Sequence, residues 1–400
     1  MAWYSPEFIK AIPKTDLHLH LDGSLRIATL IELAHDAGVE LPTNDEEGLR
    51  RLVFKESYNS LEEYLRGFGL TTSVMRSRQA LRRVSYELMM DNAAEGVRYI
   101  EVRFAPQLLM SEDLGFHQVM ESVDEGLREA CGELNAARQK GEPSYDYGII
   151  ACAMRFFTPG FSPYYRDFSR IHEFSTQREI IRGASLELAK AVVNLRNETD
   201  IQIVGFDLAG AEYGNPAGDH AESFELVHKG FICKTVHAGE AFGPESIFQA
   251  VTDLHADRIG HGLHLFNPDM VTSTDPQKAD AYVRNLVQYL SDRRITLEVC
   301  LTSNMQTTPT IGNIANHSLQ KMLEQRLSIT LCTDNRLVSN TTVSDEIMLA
   351  LENFDIDPDT LKDIIIYGFK RSFFYHPYPE KRKYVHQAIE YYDQIAAQYL

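Results

Sequence analysis

Two histidines one residue apart, His18-Leu19-His20, close an apolar run that reads as a strand. Side chains two apart on a strand point the same way, so both imidazoles aim into one space. Alone, such a pair is better read as two unrelated polar residues after a strand. Asp16 before it and Asp22-Gly23 after it tilt the reading towards a metal. A second apolar run, FICKTV, ends in His237-Ala238-Gly239-Glu240. Gly239 lets the backbone turn sharply, so Glu240 can face the same space without being a ligand. In RIGHG, His261 closes a very short strand between two glycines, where a lone histidine is more often structural. After LSITLC stands Thr333-Asp334-Asn335, and a helix N-cap explains Asp334 about as well as a ligand does.

Each signal is modest, and their coincidence carries the argument. Four strand ends each present a metal-competent or acid/base group. Three histidines and one aspartate suit zinc, which favours nitrogen and oxygen ligands and keeps a position open for water. Such an ion lowers the pKa of bound water from 15.7 to about 7, giving hydroxide at neutral pH.

The elements that must position these groups are legible as an alternation. Eight candidate strands run in order: TDLHLHL, RYIEVRF, YGIIACAMRF, IQIVGFDL, FICKTVHA, DRIGHG, RITLEVC and LSITLCTD. Between them lie segments such as ATLIELAHDAG and SLELAKAVVNLRN, apolar at i, i+3, i+4 and i+7. Ser24 and Ser60 sit where N-caps are expected, Gly38 and Gly96 where helices should stop. β-Branched runs without clean alternation suit strands buried on both faces. The expected fold class is α/β: one (β/α)8 barrel over residues 1–400, with additional helices and two longer β/α connections. Those connections are residues 157–176 and 263–280, which suit a lid, an oligomer contact or surface decoration equally. The tail after Pro379 reads as an amphipathic helix on the barrel's outside.

Composition bounds the partners. The chain is 44% hydrophobic and 24% charged, and no stretch approaches the ~18 uninterrupted apolar residues of a membrane helix. With 39 basic and 57 acidic residues, its net charge of -18 repels nucleic acid and anionic membrane. The first residues carry no apolar secretory segment. Five scattered cysteines without CxxC spacing read as reduced thiols, so a cytoplasmic protein is expected.

HLHLDGSL, FDLAGAE, VHAGE, RIGHG, LEVCLTSN and CTDN occur in an order and spacing that resembles the adenosine deaminase family of the amidohydrolase superfamily. The likeness runs from about Ile12 to the helices after Asn335. It implies one Zn2+ per chain, bound by His18, His20, His237 and Asp334. It implies Glu240 as the proton shuttle to purine N1, and His261 as the group that orients the attacking water. It further implies that the Gly210 N–H meets purine N3 and that Asp22, with His20 nearby, accepts from a ribose hydroxyl. Two-metal relatives usually carry a carboxylated lysine on the fourth strand; IQIVGFDLAG has none, which fits the mononuclear branch.

Two departures stand out. Asn335 replaces a second aspartate that in the family holds purine N7; its amide is a permanent donor and can make that bond. Ala211 stands where an acidic residue is frequent. The implied activity is hydrolytic deamination of adenosine, and of 2'-deoxyadenosine, to inosine and ammonia. Alternatives are a deaminase of adenine, of a 5'-modified adenosine or of an N6-substituted nucleotide, and a catalytically inactive nucleoside-binding barrel. Asp22 favours a hydroxyl over a 5'-phosphate, which its charge would repel. An inactive barrel should have lost His18, His20, His237, Glu240 or Asp334, and none is missing. The other zinc-deaminase fold needs HxE and PCxxC, and neither occurs.

Overall fold

Each of the eight apolar runs becomes a strand: β1 Lys14–His20, β2 Val97–Phe104, β3 Asp146–Met154, β4 Ile203–Ala209, β5 Cys233–Ala238, β6 Arg258–His261, β7 Thr296–Val299 and β8 Ile329–Leu331. The computed structural model describes residues 4–58, 61–273 and 275–399. The strands pair in parallel in chain order, β1 to β8. The ring closes through a parallel bridge between Leu19 and Asp334. There the His20 N–H donates to the Asp334 carbonyl and the Asp334 N–H to the His18 carbonyl, each at 2.8 Å. The closure therefore uses the backbone of the residues whose side chains carry the chemistry.

β2 is buried along its whole length, which explains its lack of alternation: outer side chains lie under helices and inner ones fill the barrel. The inner layer is charged. Arg103 on β2 meets Asp207 on β4 at 3.1 Å and Glu298 on β7 at 2.9 Å. Arg258 on β6 joins Glu298 at 2.6 Å and pairs with Glu101. Buried charges persist only when paired and hydrogen-bonded, and here each is.

Helix ends follow their local chemistry. Gly38 closes helix Ile27–Ala37 at φ 64°, and Gly96 follows helix Arg78–Ala94 at φ 92°. A Cβ on Gly96 would come within 2.3 Å of the Lys10 carbonyl. Ser24 is not an N-cap, a correction to the sequence reading. Arg26 occupies the cap of helix Ile27–Ala37, and the Ser24 hydroxyl instead accepts from the Arg336 N–H at 3.0 Å. It ties the loop after β1 to the loop after β8. Ser60 lies outside the described residues.

Residues 157–176 contain helix Pro163–Ile171, capped by Ser162. Phe157 stacks on Tyr165 at 3.9 Å, and the Tyr165 hydroxyl donates to Gln107 at 3.1 Å, pinning the segment to the barrel. Residues 263–280 hold a short 3-10 turn, Pro268–Met270, and the start of helix Pro276–Arg293. The C-terminal helix Tyr378–Tyr399 packs against helices Pro6–Ala11 and Pro358–Arg371. Its Tyr384 hydroxyl reaches the carbonyls of Arg98 and Ser144, beside the starts of β2 and β3, so it lies outside the barrel at the N-terminal end. Among the described residues no helix is long and apolar enough to cross a membrane.

Candidate active site

His18 and His20 at the end of β1, His237 on β5 and Asp334 just beyond β8 bring one donor atom each to within 4.8 Å of the others. The His18 and His237 Nε2 atoms are 3.0 Å apart, those of His20 and His237 3.1 Å. Asp334 Oδ1 is 3.4 Å from both β1 imidazoles. Asp334 takes φ 59° and His261 φ 65°, a backbone conformation uncommon for residues with a Cβ. Such strain persists only where the surroundings over-determine it, and it gathers at functional sites.

The ring nitrogens turned away from the cluster meet carboxylates. His18 Nδ1 lies 2.8 Å from Glu298, and His237 Nδ1 3.0 Å from Asp207. Both carboxylates are held far towards the ionised form against burial, by Arg103, Arg258 and His18 for Glu298, and by His237 and Arg103 for Asp207. Each ionised carboxylate accepts a hydrogen bond from the Nδ1–H, which in the neutral rings leaves both Nε2 atoms as lone pairs pointing at one another. Lone pairs at 3.0 Å repel unless a cation lies between them. With Asp334 the set is three neutral nitrogens and one oxygen, the donor chemistry of a zinc site. The residues fit such an ion.

Glu240 and His261 stand beside the same cluster, Glu240 Oε2 lying 3.8 Å from His261 Nε2 and the His261 ring 4.8 Å from that of His18. The loop that carries Glu240 is gathered by the buried Glu212 of β4's extension. Its carboxylate accepts from the N–H groups of Gly239 at 3.0 Å, Glu240 at 3.1 Å, Ala241 at 2.7 Å and Phe242 at 2.9 Å. Burial, then Asp334 and Glu212, pushes the Glu240 carboxyl up to about 8 with the protein's own charges alone. A cation in the cluster would draw it down again.

Asp22 and Asn335 stand beside the cluster, Asp22 Oδ1 4.0 Å from His20 Nδ1 and Asn335 next in the chain to Asp334. Asp22 Oδ1 is buried with no partner, and burial followed by Asp334 raises its carboxyl to about 7. The Asn335 Nδ2 donates to the Tyr64 hydroxyl at 2.7 Å, leaving Oδ1 buried and unpartnered. Turning the amide over would let Tyr64 donate to Oδ1 and put Nδ2 where Oδ1 now stands, beside Gly23, on which a Cβ would come within 1.8 Å of it. Gly210 follows β4 at φ 94°, where a side chain would be strained. Ala211 is followed at once by Glu212, so the loop keeps a carboxylate, used on backbone amides.

Sequence reasoning missed Arg103, Asp207, Glu212 and Glu298, and also Ser303, whose hydroxyl donates to Asp334 Oδ2 at 2.6 Å. The available signal was an isolated charge inside a β-branched run, as in IEVRF, VGFDL and ITLEV.

A family model described as "Adenosine deaminase" matches residues 13–160 and 169–391. The interruption falls inside the 157–176 segment. An adenosine deaminase of Mycobacterium avium is 34% identical over 386 residues, 96% of each chain. Adenosine deaminase 1 of Streptomyces coelicolor is 35% identical over 389 residues, covering 96% of this chain and 88% of that one. Among solved structures, an adenine deaminase from Arthrobacter aurescens superposes with a TM-score of 0.72 at 21% identity, covering 95% of this chain and 99% of that one. The N6-methyl-AMP deaminase of Arabidopsis thaliana gives 0.70 at 23% identity, covering 95% and 97%. These two likenesses are of fold.

Proposed function

This chain belongs to the adenosine deaminase family, and from that premise we propose that it hydrolyses adenosine and 2'-deoxyadenosine to inosine and ammonia, using one zinc ion per chain. The observation that carries the reading is the convergence of four donors within 4.8 Å, with Glu240 and His261 paired at 3.8 Å beside them. Held by His18, His20, His237 and Asp334, zinc would supply Lewis acidity that makes water nucleophilic at neutral pH.

The remaining chemistry falls to the chain's own residues. Glu240, protonated, gives its proton to purine N1, which weakens the ring's aromatic resistance to attack at C6. Having lost that proton, it can receive one from the attacking water and return it to the departing amine. His261 directs Nε2 at the water and stabilises charge there. The Gly210 N–H donates to N3 and Asn335 to N7. Asp22, unpartnered at Oδ1, accepts from a ribose hydroxyl. A buried carboxyl at that place favours a neutral nucleoside over a 5'-phosphate. The substrate is thus a small neutral purine nucleoside, with neither nucleic acid nor membrane as partner. We read residues 1–400 as one domain and, from five free cysteines, place it in the cytoplasm.

The test is a screen of 6-amino to 6-oxo conversion with adenosine, 2'-deoxyadenosine, adenine, AMP and N6-methyl-AMP side by side. Adenosine and its 2'-deoxy form should have the highest kcat/KM. A preference for adenine or a nucleotide would overturn the substrate assignment and leave the deaminase chemistry in place.

A further inference from the structure

His261 heads a row of three buried groups that runs from its Nδ1 away from Glu240. Asn304 Nδ2 lies 3.0 Å from His261 Nδ1, and Asn304 Oδ1 lies 3.2 Å from His317 Nε2. The row ends on the backbone, where the Leu319 N–H donates to His317 Nδ1 at 3.1 Å. His261, Asn304 and His317 are 1%, 0% and 2% exposed, so no water competes for these bonds.

That last bond fixes the direction of the others. A backbone N–H only donates, so His317 Nδ1 is a lone pair and the neutral ring carries its proton on Nε2. Burial and His264 hold His317 neutral, its pKa lowered to about 4. Nε2–H must donate, so the Asn304 atom it meets is the carbonyl oxygen. The Asn304 amide nitrogen then points at His261 and donates to Nδ1. With Nδ1 accepting, the neutral His261 ring carries its proton on Nε2, the atom turned towards Glu240. An Nδ1–H tautomer would set that proton against the Asn304 amide protons.

We infer that Asn304 and His317 are positioning residues that hold His261 in the Nε2–H tautomer, so that His261 offers the reacting water a donor and not a base. The inference rests on the reading above for what His261 faces. The chain of bonds itself stands without it. Asn304 follows Ser303, which donates to Asp334, so one turn of helix Leu301–Thr307 orients both a cluster carboxylate and His261.

The test is a two-bond 1H–15N NMR spectrum of the zinc-loaded full-length protein labelled at histidine, with His261 assigned by its loss in His261→Gln. The native spectrum should show His261 protonated at Nε2 and unprotonated at Nδ1. Asn304→Asp replaces the amide donor by an acceptor of nearly the same shape, and should move the His261 proton to Nδ1. Zinc content and KM should change little while kcat falls by about 10²-fold or more, the usual effect of losing one such donor. His317→Gln, which keeps a donor for Asn304, should retain more kcat than His317→Phe. A native His261 protonated at Nδ1, or a tautomer unmoved in Asn304→Asp, overturns the inference without touching the proposed reaction. If the tautomer moves and kcat stays native, the relay stands and the role given to His261 in the reaction fails.

Discussion

Glu240 and His237 are three residues apart, yet the chain gives them different work because Gly239 turns between them at φ 71°. His237 joins the four-donor cluster, whereas Glu240 stands 3.8 Å from His261 with its carboxyl raised by burial and by neighbouring carboxylates. Glu240→Gln keeps the size and removes the titratable proton. It should retain zinc and near-native substrate binding while kcat falls by roughly 10²–10⁴. A variant with most of its kcat would contradict the shuttle role. Asn335 poses a sharper question, because its amide nitrogen is spent on Tyr64 in the structure and must turn over to donate to N7. Asn335→Ala should cost about 1–3 kcal/mol of transition-state binding for adenosine. It should also lose most of the native preference for adenosine over 7-deazaadenosine, which lacks the N7 acceptor. Equal discrimination by the Ala variant would show that Asn335 does not read N7. The cluster residues were legible because each ends a strand. Their supports were not, because Glu298, Asp207 and Arg103 meet only across the barrel, and His317 reaches His261 through Asn304 from a loop much later in the chain.

The strands were legible as elements because parallel barrel strands are continuous apolar runs; β5 to β8 lie within the runs read from sequence, and β1 to β4 each extend one residue beyond theirs. Their closure was not, since it depends on the single bridge from Leu19 to Asp334. Ser24 misled because a serine before an apolar period has the same appearance whether it caps a helix or, as here, binds the Arg336 N–H. One helix carries a pH-sensitive contact at the N-terminus of helix Leu301–Thr307. Glu346, in helix Val343–Asn353, accepts from the Leu301 N–H at 2.8 Å and the Thr341 hydroxyl at 2.9 Å. Burial outweighs those donors and raises its carboxyl from 4.5 to about 7. The folded pKa is above the unfolded one. The contribution to stability is therefore fully present below about 4.5 and is lost as pH rises through about 7, by roughly 3 kcal/mol. Thermal unfolding between pH 5 and 8, followed against Glu346→Gln, is the check: the native Tm should fall more over that range than the variant's. Parallel profiles would remove Glu346 as the cause.

As a whole the molecule is a strongly acidic barrel, net charge -18, with a charged layer beneath its site. Long-range repulsion acts on anionic ligands and is screened by salt, while a neutral nucleoside feels little of it. The kcat/KM for adenosine should therefore change little with ionic strength, and that for AMP should rise as salt is added. An AMP rate that falls with salt would point to a local basic pocket and to a nucleotide substrate. The buried ion pairs also make the interior dependent on every member, so breaking one by removing its partner is far more costly than at the surface. Above this layer the proposed single zinc would be held by ligands from β1, β5 and the residues just after β8. The most direct measurement is a titration of zinc into chelated protein while conversion of adenosine to inosine is followed. No turnover is expected without metal, then a linear rise that levels off at one zinc per chain; full activity in the metal-free protein, or a plateau requiring two ions, would contradict the mononuclear site.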